Sequence, residues 1–277
     1  MADPTPEHLP QDAAEDVDDL KAADAKDLHQ AVREAGEEEL DRPVASLFVS
    51  GLAGGLAISS SLVAEGALHA ALPESPWRDL VVALGYPIGF LVVILGRMQL
   101  FTESTITAML PLVTRPSGWA LGRTLRLWAV VLVANLVGTA ITGGAIAAGV
   151  LGSAELRDAM IAVSMAITEL SPRATFVNAI PAGFMIAILA WSLPNARTQA
   201  FQVIVAITYV VAIGGFSHSI VGSVEAFLLL FSGHVGAVQT LAGLLLPAIL
   251  GNLLGGAGIF ALLAHGQVRG EMKEDTE

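Results

Sequence analysis

Two apolar runs, residues 80–113 and 198–231, are about 34 residues long, and each is interrupted near its middle by polar and small residues. One straight helix crosses a bilayer in about 20 residues. The excess predicts two half-helices per run, joined by non-helical backbone at membrane depth. Such backbone is tolerated only where protein covers it or where it lines a watery cavity. The first break reads Gln99-Leu100-Phe101-Thr102-Glu103-Ser104-Thr105. The second reads Gly214-Gly215-Phe216-Ser217-His218-Ser219-Ile220-Val221-Gly222-Ser223. A related helical motif follows each: Ala134-Asn135-Leu136-Val137-Gly138 after the first, Gly251-Asn252-Leu253-Leu254-Gly255 after the second. Broken helices in corresponding places of two halves point to a transport site at their interface.

Four further apolar stretches, 44–72, 124–150, 175–193 and 238–264, complete six expected crossings. The chain thus reads as an all-α membrane protein of six transmembrane helices in two inverted three-helix repeats, with spans 2 and 5 broken. Glycines such as Gly51, Gly54, Gly55, Gly138, Gly251 and Gly255 suit close helix packing in lipid. Six crossings put both termini on one side. Arg115, Arg123, Arg126, Arg197, Arg269 and Lys273 lie on that side. Arg78, Arg157 and Arg173 lie opposite, offset by Glu74, Asp79, Glu155, Asp158 and Glu169. The bias predicts cytoplasmic termini.

Charge divides the chain into three parts. Residues 1–42 hold 14 acidic and 4 basic residues and form an acidic tail. The pore domain, 43–266, is neutral, and 267–277 form a short cytoplasmic tail. The acidity therefore describes a solvated segment and says nothing of the substrate. In the first tail, Leu28, Ala31, Val32 and Ala35 fit one helical face, preceded by Val17 and Leu20. An amphipathic helix on the cytoplasmic face and a disordered acidic tail remain equal readings. The N-terminus lacks the basic start and apolar core of a secretory signal. With no cysteine and no metal-ligand spacing, no cofactor or metal is indicated. Nothing points to nucleic acid.

His218 is the histidine that falls inside a break, and imidazole changes charge near physiological pH. Thr102 and Asn252 are placed to orient its ring or bind an anion, and Ser219 supplies a hydroxyl. Half-helix N-termini aimed at the membrane centre favour an anion there. Charges inside spans are expensive and usually paired or facing water. Arg97 and Glu103 flank the first break and Glu225 follows the second, so a pairing of Arg97 with Glu103 or Glu225 is expected. Glu65 reads as an interfacial carboxylate at the outer end of span 1. Phe101, Phe90 and Phe216 can narrow a route. The Ser217-His218-Ser219 run has no third group to orient it, which argues against a nucleophilic enzyme.

Leu100-Phe101-Thr102, His218-Ser219-Ile220 and Gly251-Asn252 with Gly255-Gly256 together resemble the formate/nitrite transporter family, over about residues 40–266. The resemblance implies an aquaporin-like fold, a homopentamer with one pore per protomer, a bacterial inner membrane, and passage of small monovalent anions. It implies that His218 is the central pore histidine, Thr102 its partner, Asn252 the polar neighbour and Phe101 part of a constriction. Where the family usually carries an asparagine after the histidine, this chain has Gly222. A common asparagine of the fourth span falls at Gly183, and the nearest counterpart of a vestibule lysine is Arg173. Two alternatives to the anion channel are an aquaporin-like channel for water or small neutral solutes, and a membrane scaffold that does not transport.

Overall fold

The structure, a computed structural model, describes residues 24–274. Its elements are helical throughout. Helix α1 is Ala25–Asp41, α2 Val44–Ala71, α3 Arg78–Leu95, α4 Ser104–Thr114, α5 Gly118–Ala147 and α6 Ala154–Ser164. Then follow α7 Pro172–Asn195, α8 Ala200–Ile213, α9 Val221–Phe231 and α10 Gln239–Glu271. Helices α2, α3, α5, α7 and α10 are long and apolar enough to cross a membrane, and α4, α8 and α9 are shorter apolar helices. The expected fifth span is thus two short helices, and the second is α3 plus α4, each pair meeting at a break.

Local chemistry starts and stops these helices. Ser117, Ser153 and Ser171 cap α5, α6 and α7 by accepting a backbone N–H, and Pro172 opens α7 where its missing N–H does no harm. Ser59 bends α2, its hydroxyl donating to the Gly55 carbonyl at 3.0 Å. Two π-helical stretches, Gln239–Leu245 and Leu254–Phe260, bracket the Asn252 turn of α10. Helix α10 also runs on beyond the 266/267 boundary expected between pore and tail. Val268 is fully buried, and apolar contact carries the helix forward.

Glycine sets the distance between the paired long helices. On α2, a Cβ at Gly55 would meet the Asn135 backbone of α5; on α7, a Cβ at Gly183 would meet the Asn252 backbone of α10. No asparagine fits at Gly183. The asparagine of the fourth span that meets the second break is Asn178, whose side chain donates to the Gly215 carbonyl.

From Ala25 to Asp41 the expected tail is helical, with a rotated face. The buried positions are His29, Val32, Gly36 and Leu40, while Ala31 and Ala35 are exposed. The reason is that α1 docks on protein: Gly36 lies against the Thr107 carbonyl and His29 meets His265 at 3.2 Å. Arg126 anchors its end by donating to the carbonyls of Leu40 and Arg42. Val17 and Leu20 lie outside the described residues.

Candidate functional site

The two breaks have the same backbone. After α3, Met98 N–H donates to the Val93 carbonyl at 3.0 Å; after α8, Phe216 N–H donates to the Val211 carbonyl at 3.1 Å. The residue just before each is left-handed, Arg97 at φ 54° and Gly215 at φ 61°. Glycine takes that conformation freely and arginine does not. Equivalent positions lie 118 residues apart throughout the breaks.

One buried asparagine clamps each break. Asn135 Oδ1 accepts from Phe101 N at 2.9 Å, and its Nδ2 donates to the carbonyls of Gly51 at 2.7 Å and Gln99 at 2.9 Å. Asn252 Oδ1 accepts from Ser219 N at 2.7 Å, and its Nδ2 donates to the carbonyls of Ala179 at 2.8 Å and Ser217 at 3.0 Å. Each amide thereby satisfies three backbone groups that the missing helix turn would leave unpaired. Asn135 was legible in the motif shared with Asn252, yet its role is visible only through these bonds.

Identical backbones then present different side chains. The first break offers Leu100 and Thr102 where the second offers His218 and Ile220. The result is one hydrogen bond between the breaks: His218 Nε2 and Thr102 Oγ1 are 2.9 Å apart. Both residues are buried. Val221 N–H donates to His218 Nδ1 at 3.2 Å, so Nδ1 is an acceptor and the ring proton sits on Nε2, donating to Thr102. The Phe90 ring stands edge-on to the imidazole, 5.1 Å between centroids. Phe101, by contrast, is buried in the core and enters the site through its backbone N–H.

A cavity of about 210 Å³ opens beside His218, with Ser219, Gly222, Glu225, Glu65 and Tyr86 among its walls. Glu65 therefore faces a cavity within the protein, where the expectation was an interfacial carboxylate. The bend at Ser59 and the packing of α2 on α6 turn its carboxylate inward, where it is 7% exposed. Arg173 is exposed and does not line this cavity. A second cavity of about 660 Å³, on the side of the first break, is lined by Arg97, Glu103 and Arg197 together with Glu39 and Val32 of α1. Among the described residues Arg97 makes no ion pair within 4.0 Å, and Glu225 lies on the other cavity. The expected pairing with Glu225 is absent because the second break carries Glu225 to the other cavity, while Arg97 and Glu103 line one cavity without closing to an ion pair. Glu39 instead accepts from Thr107 Oγ1 at 2.6 Å and Gln99 Nε2 at 2.9 Å. Burial pushes its carboxyl up, and these two hydrogen bonds pull it partly back.

This constellation can be set beside known proteins. The model of the formate/nitrite transporter family matches residues 26–266, from α1 through α10. The chain belongs to the formate/nitrite transporter family. Inner membrane protein YfdC of Escherichia coli (strain K12) is 38% identical over 245 residues, covering 88% of this chain and 79% of that protein. Two solved structures share the fold. A pentameric formate channel with formate bound aligns at TM-score 0.69 with 18% identity, over 82% of this chain and 97% of its own. An FNT family ion channel aligns at 0.72 with 20% identity, over 88% and 98%. The transporter is thus a multi-pass helical membrane protein and not an enzyme.

Proposed function

We propose that this transporter is a channel for small monovalent anions of weak acids, formate and nitrite among them, with the Thr102–His218 contact as its selective point. The observation that carries the reading is the 2.9 Å hydrogen bond joining the two breaks. The reading includes six crossings in two inverted repeats, both termini in the cytoplasm, residence in the inner membrane and assembly as a homopentamer. The matched breaks, with the motifs at Asn135 and Asn252, support the repeat. The pentameric formate channel of the same fold supports the assembly and the anion.

The route follows from the chemistry of its walls. Arg97 and Arg197 draw an anion into the cavity on the first-break side. Helices α4 and α9 begin at the breaks, so the partial positive charge of their N-termini adds to that attraction. At the centre, Phe90 and the buried contact exclude bulk water and resist a bare charge. A permeant that displaces Thr102 accepts a hydrogen bond from Nε2–H of His218, and Val221 keeps that tautomer fixed. The histidine shares its proton and keeps it, because giving it up would leave an imidazolate.

The test is flux into proteoliposomes across about pH 5 to 8, with formate, nitrite and chloride offered in parallel and His218→Ala beside the parent. Weak-acid flux in the parent, lowered on the order of a hundredfold in the variant, is the expected result, the size usual for a lost proton-handling group. Parent vesicles that swell with neutral solutes yet carry no anion would replace this reading with the neutral-solute channel.

A further inference from the structure

A histidine that must keep its proton leaves the permeant's charge unpaid, and the cavity beside it is built to supply what is missing. Four buried polar atoms lining that cavity have no hydrogen-bond partner: Glu65 Oε2, Tyr86 OH, Thr175 Oγ1 and Ser219 Oγ. Tyr86 is 8% exposed, Thr175 5% and Ser219 not at all. Buried polar groups are almost always paired, so four orphans around one space mark a place where a hydrogen-bonding ligand belongs. Glu225 completes the wall, one turn into the helix that follows His218, and among the described residues no lysine or arginine lines the cavity.

Two carboxylates facing one low-dielectric space without a cation cannot both carry charge, and such pairs hold a proton. The surroundings do not relieve them. Glu65, Tyr86, His218 and Glu225 are the titratable groups that line the cavity. Arg78 and Arg157, on the neighbouring helices α3 and α6, are engaged by Glu74 and Asp158. Asp79, Glu155 and Glu169 lie outside the cavity wall, as does the exposed Arg173 of α7.

We propose that Glu65 and Glu225 form a proton-loading site that hands its proton to the permeant before the His218 contact. This rests on the anion-channel reading and names the residues that supply its proton. In the loading step, the O–H bond of one carboxylic acid breaks and the proton bonds to the permeant, at oxygen in formate or nitrite and at fluorine in fluoride. The carboxylate left behind takes its next proton from water on its own side of the membrane. Tyr86, Thr175 and Ser219 hold the oxygens of the permeant while this happens. Only an anion whose conjugate acid has an acidity near that of a carboxylic acid can take this proton. Formate, nitrite and fluoride qualify; chloride and nitrate do not.

The test uses full-length protein in vesicles loaded with a pH-sensitive dye. In the parent, an inward formate gradient acidifies the lumen with one proton per formate, above protein-free vesicles, and chloride and nitrate gradients do nothing. In Glu65→Gln/Glu225→Gln, which keeps the side-chain shapes and removes the titrating groups, formate-driven acidification falls at least tenfold, and Glu65→Asp/Glu225→Asp restores part of it. Acidification at the parental rate in the glutamine variant overturns the proposal while leaving the anion channel standing. Should that variant fail to assemble, the parent decides alone: chloride or nitrate carried as fast as formate, or a methylammonium gradient carried in their place, overturns it. A parent that carries no formate at all refutes the channel reading itself.

Discussion

The first and second breaks share one backbone and divide the chemistry. Each has a left-handed residue, at positions 118 residues apart, then a half-helix and an asparagine clamp. Yet Leu100 stands opposite His218, Phe101 opposite Ser219, and Thr102 opposite Ile220. One break therefore contributes the imidazole and the other its hydroxyl partner, and neither makes the site by itself. The surroundings diverge as well. Helix α1 covers the first break through Glu39, whereas the second opens on the carboxylate-lined cavity. The scaffold is symmetric in what holds it together and asymmetric in what it presents to a permeant.

The largest effect should come from breaking what the two regions share. Asn135→Leu and Asn252→Leu each strip three buried backbone groups of partners. Each should lose about 3 kcal/mol or more of stability. Thermal unfolding of the solubilised protein checks this, and the two losses should be alike; a large loss in one alone would mean that the clamps are not equivalent. Next comes the division of chemistry. His218→Leu gives the second break the residue of the first, and should abolish most transport with little change in melting temperature. A smaller effect follows from the left-handed pair. Arg97→Gly should raise stability by about 1 kcal/mol by removing strain, and Gly215→Ala should lower it by a similar amount.

The smallest effect concerns α1, which touches only the first break. Burial foremost, then His265 and Arg33, pushes His29 down to about 4 from an ordinary value of 6.5. The helix therefore docks with His29 neutral. That contribution is complete above about pH 6.5 and is lost as pH falls toward 4. Glu39, pushed up by burial, works with the opposite sign. The difference between parent and His29→Asn isolates the histidine. Hydrogen exchange of α1, corrected for intrinsic rate, should rise on acidification more in the parent than in the variant.

The breaks were legible because a run of 34 residues exceeds one crossing and carries small and polar residues at its centre. His218, Thr102 and Asn252 followed from type and position. Glu65 and Tyr86 did not, because the cavity they face is closed by residues far away in sequence, and the bend at Ser59 resets the face of α2. Arg97 gave no sign of its left-handed backbone; only its correspondence with Gly215 exposes it. The buried face of α1 was misread because a helix docking on protein buries a glycine and a paired histidine, which apolar periodicity does not register.

The most direct measurement is a double-mutant cycle on formate flux with Thr102→Val, His218→Leu and the two combined. If the two breaks act through a single hydrogen bond, the double variant should be no slower than His218→Leu. Losses that multiply, or a Thr102→Val channel as fast as the parent, would mean that the breaks do not meet in one functional contact.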